Sequence, residues 1–353
     1  YKKANAALEP FAAADILMPA GKRTLSQWVK FANSLRLRLA IRVSMSAPDL
    51  ARAEVAKAMD ATAGGVLESA DETVAVSTES GYKNPLGTVN EGWGEVFMGA
   101  TMESVLVGYN DPRLIKYYSK AEGGDIKDEK GNLIIAERNK IAGTYKGVPQ
   151  GTGVTVKDEN RYRLHSKSTI TKQTDAILMT AAEVWFLRAE AALRGFTSEN
   201  VKDCYEKGIT VSCQQWGVNV GDYLTSDATP SDYVDAFEAK YDVKALIKVT
   251  PKWDGGASPE EQLERILTQK WIACYPEGYE AWTEQRRTGY PQLFKVFVNN
   301  SGGAIDTNIR IRRLPYPSDI QKNNPTQYSA LKKALGGEDN GGTRLWWDTG
   351  RNF

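Results

Sequence analysis

The chain has 353 residues, of which 41% are hydrophobic and 25% charged, and its formal net charge is +1. This length buries a large core without help from a metal or a disulfide, as one elongated helical body or as two domains. The charge balance leaves no footprint for a nucleic-acid or anionic-lipid partner, and no run of about 18 apolar residues reads as a membrane span.

The opening Tyr1-Lys2-Lys3-Ala4 is not a signal-peptide core, as would also hold for the processed part of an exported precursor. The first helix signal is Thr24-Leu25-Ser26-Gln27, a capping box. Its stripe runs Leu25, Trp28, Val29, Ala32, Leu35, Leu39, Val43. Phe31, Leu37 and Ile41 fall on other faces, which predicts a helix sandwiched between neighbours. Pro48 is expected to end it, and a second helix from Asp49 to Asp60 stops before Gly64-Gly65. Residues 67–111 mix loops with the β-like run Thr73-Val74-Ala75-Val76. Trp93 to Val107 has helical spacing, and Asp111-Pro112-Arg113 opens a short helix through Tyr117-Tyr118. Residues 122–167 are polar, with turn signals at Lys130-Gly131-Asn132 and Gly151-Thr152-Gly153 that predict hairpins and surface loops.

A second helix pair is expected from Asp175 to Leu193, capped by Gly195, and from Ser198 to Gln215, with Gly208 permitting a close crossing. A third opens at Ser258-Pro259-Glu260-Glu261, the chain's best helix start, with an inner stripe of Leu263, Ile266, Leu267, Trp271 and Cys274. Pro276 and Gly278 break it before a return from Tyr279 to Arg287. Beyond that only brief helices fit, such as Gln327 to Leu335. The fold expected is mainly α, with TPR-like antiparallel helix pairs at residues 24–60, 175–215 and 258–287, loop-rich stretches at 61–174 and 288–353, and a few short β-hairpins, in one domain over 1–353.

Groups for catalysis are scarce. Cys204, Cys213 and Cys274 lack metal-ligand spacing. Cys204 and Cys213 lie about 13 Å apart on opposite faces of one helix, so all three read as small buried hydrophobes. His165 is the only histidine, which leaves little for His-based nucleophilic or metal chemistry. Glu91 and Glu95 are one turn apart on a short helix and read as solvated, since a glycosidase pair faces across a cleft. Asp125, Asp128 and Glu129 near Gly131 lack the ligand series of a calcium loop, and Gly151-Thr152-Gly153 is too short for a phosphate cradle. Arg36, Arg38 and Arg42 read as solvated or carboxylate-paired. Arg286-Arg287 reads as paired with Glu280 or Glu284. No catalytic residue, metal or cofactor is expected.

The phrases Ile266-Leu267-Thr268-Gln269-Lys270-Trp271-Ile272-Ala273, Glu280-Ala281-Trp282-Thr283-Glu284-Gln285-Arg286-Arg287-Thr288-Gly289-Tyr290-Pro291 and Ile311-Arg312-Arg313-Leu314-Pro315-Tyr316-Pro317 resemble the SusD/RagB family. Trp28 to Ala40, Asn110-Asp111-Pro112-Arg113, Glu183 to Ala191 and Leu345-Trp346-Trp347-Asp348 extend the resemblance along nearly the whole chain. It implies a non-catalytic Bacteroidetes surface lipoprotein that captures a glycan, a peptide or a similar nutrient for a SusC-like TonB-dependent outer-membrane channel. It also implies a lipidated cysteine and further N-terminal helices, whereas Trp28 enters almost at once. The expectation is therefore that an N-terminal portion is missing, and that contact with the membrane is through an anchor not present in this chain.

Glycan capture needs flat rings beside amides and carboxylates. Trp28, Trp185, Trp271 and Trp282 sit on helical stripes and read as core. Tyr82, Trp93, Trp216 and Trp253 lie in loop-like settings and are the ligand-contact candidates. The alternatives are a helical-repeat interaction scaffold without glycan binding and a secreted glycosidase.

Overall fold

In the computed structural model of the chain, residues 12–136, 140–153 and 161–353 are described. Helix α1 (Leu25–Arg42) starts where the Thr24 hydroxyl accepts the Gln27 amide hydrogen at 3.2 Å. Pro48 does not end α1, as the sequence suggests; it is the first residue of α2 (Pro48–Met59), where a missing amide hydrogen leaves no bond unmade. The buried line of α1 is Ser34, Leu37, Ala40 and Ile41, whereas Leu39 is exposed. The helix touches α2 on one side and a later helix on another, so its apolar residues are spread and no single stripe marks the core side.

The loop-rich stretch contributes β1 (Val74–Val76), α3 (Pro85–Trp93), α4 (Ala100–Gly108), α5 (Leu114–Tyr117) and the hairpin β2 (Ile126–Lys127) with β3 (Leu133–Ile135). The helical spacing from Trp93 to Val107 is not one helix. Gly94 takes a left-handed φ of 64° and closes α3 at Trp93, and α4 begins only after Gly99. The second helix pair also begins later than its periodicity implies. Residues Ala176–Met179 form β4, which pairs antiparallel with β1 so that Ile177 faces Ala75. Thr180 then caps α6 (Ala181–Leu193). Its partner α7 (Val201–Gln215) crosses closely because Gly208 leaves room for Phe186: a Cβ there would meet the ring at 2.8 Å.

The third pair is α8 (Pro259–Ala273), with both halves of the Ser258–Glu261 capping box formed, and α9 (Gly278–Thr288). Gly278 starts α9 rather than breaking a helix. Short helices α10 (Ser318–Asn323) and α11 (Pro325–Leu335) follow. Helix α6 is the centre, packed against α1, α7 and α8 and buried around most of its circumference.

Charged residues hold the helices together. Arg38 binds the Glu183 carboxylate at 2.6 and 2.5 Å, Arg42 binds Glu280 at 2.6 Å, and Arg287 makes paired 2.7 Å bonds to Glu190. Lys270 is fully enclosed between Glu280 at 3.1 Å and Glu284 at 3.3 Å. Burial opposes its charge, but the Glu284, Glu280 and Glu183 carboxylates outweigh burial and hold the ammonium protonated. A second knot joins the Asp111 carboxylate to Arg113, which also donates to Ser212 at 3.0 Å and Gln269 at 2.9 Å. In this second knot each guanidinium nitrogen of Arg113 has an acceptor, the condition under which buried ions persist. Arg36, Arg38 and Arg42 are thus carboxylate-paired, with Glu54 taking Arg36. The three cysteines are free and buried.

Candidate functional site

The four loop aromatics do not converge. Trp93, 61% exposed, is the last residue of α3, whereas Tyr82, 37% exposed, lies in the loop three residues before the helix begins. Helix α3 is pinned to residues 168–174: Asn90 donates to the Ser168 and Ile170 carbonyls at 2.7 and 2.8 Å, and Asn84 donates to Thr174 O at 3.0 Å. Gly87 is required there, because a Cβ would lie 2.1 Å from the Thr171 carbonyl. Glu91 accepts the Lys172 amide hydrogen at 2.7 Å. Gly94 separates Glu91 from Glu95, so the two carboxylates do not share a helix as the sequence suggests.

Trp216 caps α7 and lies edge-on to Tyr117 with ring centres 4.8 Å apart. It lines a separate cavity of about 460 Å³ with Gln215. Trp253 leans on Tyr205, with ring centres 5.1 Å apart, and packs against the main core. Its position favours packing over ligand contact. Asp128 accepts the Lys130 and Asn132 amide hydrogens at 2.9 and 2.8 Å, which makes it the organiser of the β2–β3 turn. His165 is enclosed beside Tyr162 and Phe237, and burial, with Lys146 nearby, pushes its pKa down to about 3.

A cavity of about 710 Å³ lies elsewhere. Trp271 on α8, Trp282 on α9 and Tyr118 supply rings, and Leu293, Phe294, Val296 and Val298 supply an apolar wall. Gln150, Gln285, Asn299 and Arg310 place amides and one guanidinium among them. Both tryptophans do lie on helical stripes, but α9 has no helix packed over this side, so they are only half buried. The Trp282 ring is fixed by its Nε1 donating to Ile311 O at 3.0 Å and by the Arg286 guanidinium 3.6 Å from its centre. Arg310, in a left-handed conformation with φ of 63°, donates to Gln150 Oε1 at 2.9 Å and to Phe294 O. The apolar wall carried a signal in the sequence. Phe294, Val296 and Val298 alternate with period two, and the segment lies beside residues 150–151 through Phe297 N to Gln150 O and Val298 N to Gly151 O. Arg310 and the amides carried none, since nothing local ties residue 150 to residue 310.

An apolar cleft of this size with a few fixed polar groups suits a small organic ligand. Among the described residues there is no cluster of three groups able to hold a metal, and no helix long and apolar enough to cross a membrane. The sequence matches the family described as SusD-like, Susd and RagB outer membrane lipoprotein, over residues 5–348. A SusD homologue of Bacteroides vulgatus is 49% identical over 99% of this chain and 69% of its own, with a TM-score of 0.86. A chitin-binding SusD homologue from Flavobacterium johnsoniae is 36% identical over 97% of this chain and 67% of its own, also at 0.86. A third, from Bacteroides thetaiotaomicron, is 33% identical over 99% and 70%, at 0.83. No curated protein matches the chain.

Proposed function

The chain belongs to the SusD/RagB family of outer membrane lipoproteins, whose members bind and do not catalyse, and from that premise we propose that it captures a glycan at the cell surface and passes it to a SusC-like TonB-dependent channel. The observation that carries the reading is the 36% identity, over 97% of the chain, to a homologue described as chitin-binding. The cleft between α9 and residues 293–311 is the proposed capture site. Trp271 and Trp282 offer ring faces to the C–H side of a sugar, and Gln150 and Gln285 offer planar amides to its hydroxyls. Lipid anchorage of the full-length protein belongs to the same proposal. So does docking of the channel through the helix pairs, where Leu39 and Leu50 leave apolar surface on α1 and α2.

Exposed Trp93 favours a second face for ligand contact, with Tyr82 in the loop that precedes α3. Glycan-array screening followed by calorimetry on three variants separates the two. Ala281→Trp fills the cleft without removing a packed ring, and it should abolish binding. Trp282→Ala should weaken it about tenfold, the worth of one stacked ring. Trp93→Ala should leave it unchanged. Binding that survives Ala281→Trp but is lost in Trp93→Ala moves the capture site to α3, and no binding to any glycan favours the interaction-scaffold alternative.

A further inference from the structure

Behind the aromatic cleft lies a second cavity of about 360 Å³, and the two share Gln285, Leu293, Thr307 and Arg310 as a common wall. Among the described residues the second cavity is lined by six cations, Arg286, Arg287, Lys295, Arg310, Arg312 and Arg344, and by no carboxylate. Their neutralisation is uneven. Arg287 is held by both Glu190 and Glu284, while Arg312 and Arg344 divide the single carboxylate of Asp348, at 2.7 and 2.5 Å. Arg286, only 7% exposed, donates to Arg312 O at 2.6 Å and Thr283 Oγ1 at 3.0 Å, and its Nε has no partner. Arg310 donates only to neutral oxygens. Lys295 stands over the Phe297 ring. Burial, with Arg42 and Arg312 close by, pulls the Arg286 pKa down to about 10, and burial also lowers that of Arg310. Enclosed cations whose hydrogen bonds go only to neutral oxygens are costly, and an arriving anion relieves that cost.

We propose that this annexe receives the carboxylate or sulfate ester of an acidic saccharide whose ring lies in the neighbouring cleft. The inference rests on the capture reading of that cleft and gives its ligand a chemical class. A sugar ring against Trp282 sits beside the common wall, so an oxyanion on the ring reaches Arg310 first and the cavity's other cations beyond it. Guanidinium forks match both planar carboxylates and sulfate oxygens.

The test is calorimetry on the whole chain with galacturonate, glucuronate-containing and sulfated oligosaccharides, each beside its methyl-esterified or desulfated form, and with inorganic sulfate alone. At least one acidic oligosaccharide should bind about tenfold or more tightly than its neutral form, the worth of a charge-assisted hydrogen bond. The preference should shrink in Lys295→Ala, collapse in Arg310→Gln and weaken with added salt. Equal affinity for acidic and neutral forms overturns the inference and leaves glycan capture standing. A preference that survives both variants also overturns it, as does binding of sulfate alone with no acidic saccharide bound. Failure to bind any saccharide, neutral or acidic, strikes the underlying capture reading instead.

Discussion

The interior of the helix pairs and the cavity rim formed by α9 and the loops after it both bury arginines, and they neutralise them unequally. In the interior Arg38 meets Glu183, Lys270 meets Glu280 and Glu284, and Arg113 meets Asp111 from the preceding turn. At the cavity rim Arg312 still meets Asp348, but Arg286 and Arg310 donate only to carbonyl, hydroxyl and amide oxygens. Aromatic rings divide the same way. Phe186 and Tyr205 are sealed between α6, α7 and the chain beyond, whereas Trp271 and Trp282 are half open. A side chain closed on all sides serves the fold, and one closed on all sides but one is available to a ligand.

The largest expected effect tests the body. Arg113→Ala leaves Asp111 buried without its counter-charge and should cost about 3–5 kcal/mol of unfolding free energy, read by denaturant titration. A loss below one kcal/mol would show that this knot does not hold α7 and α8 together, and would break the contrast drawn here.

Next comes pH, and the effect lies outside both regions, in the loop-rich stretch that holds His165. His165 has a folded pKa of about 3 against 6.5 when exposed. Between these values the unfolded chain binds the extra proton, so stability falls as the pH drops from 6.5 towards 3 and is unaffected above 6.5. At pH 5 the loss should be about 2 kcal/mol. His165→Phe, next to Tyr162 and Phe237, should flatten this slope in thermal melts across that range. An unchanged slope would assign the acid sensitivity to the carboxylate network of the body.

The smallest effect sharpens the comparison. Lys295→Ala removes an exposed cavity cation with no carboxylate partner in contact, and should change stability by less than about 0.5 kcal/mol. A larger loss would mean that the annexe serves the fold as the helix-pair network does.

The sequence by itself determined the helix pairs. Capping at Thr24 and Ser258, the small residue Gly208 at a crossing, and apolar spacing over twelve or more residues are local signals, and local signals survive without knowledge of the partner. It also carried the family phrases, and the structure explains why those phrases are specific: they supply the ions of the buried network. Arg38, Asp111, Arg113, Glu183, Glu190, Lys270, Glu280, Glu284, Arg287, Arg312 and Asp348 all fall within them. Each side chain there has one geometry that satisfies its charge, so its identity is fixed. Which rings line an open cleft is settled only by tertiary packing. Trp271 and Trp282 have the same helical spacing as any core tryptophan, and what exposes them is the absence of a helix over α9. Trp253 sits in a loop, yet Tyr205 of a distant helix covers it. Residues 150, 285 and 310 meet through contacts far apart along the chain, and a cavity is a property of the space between segments, which no stretch of sequence encodes alone.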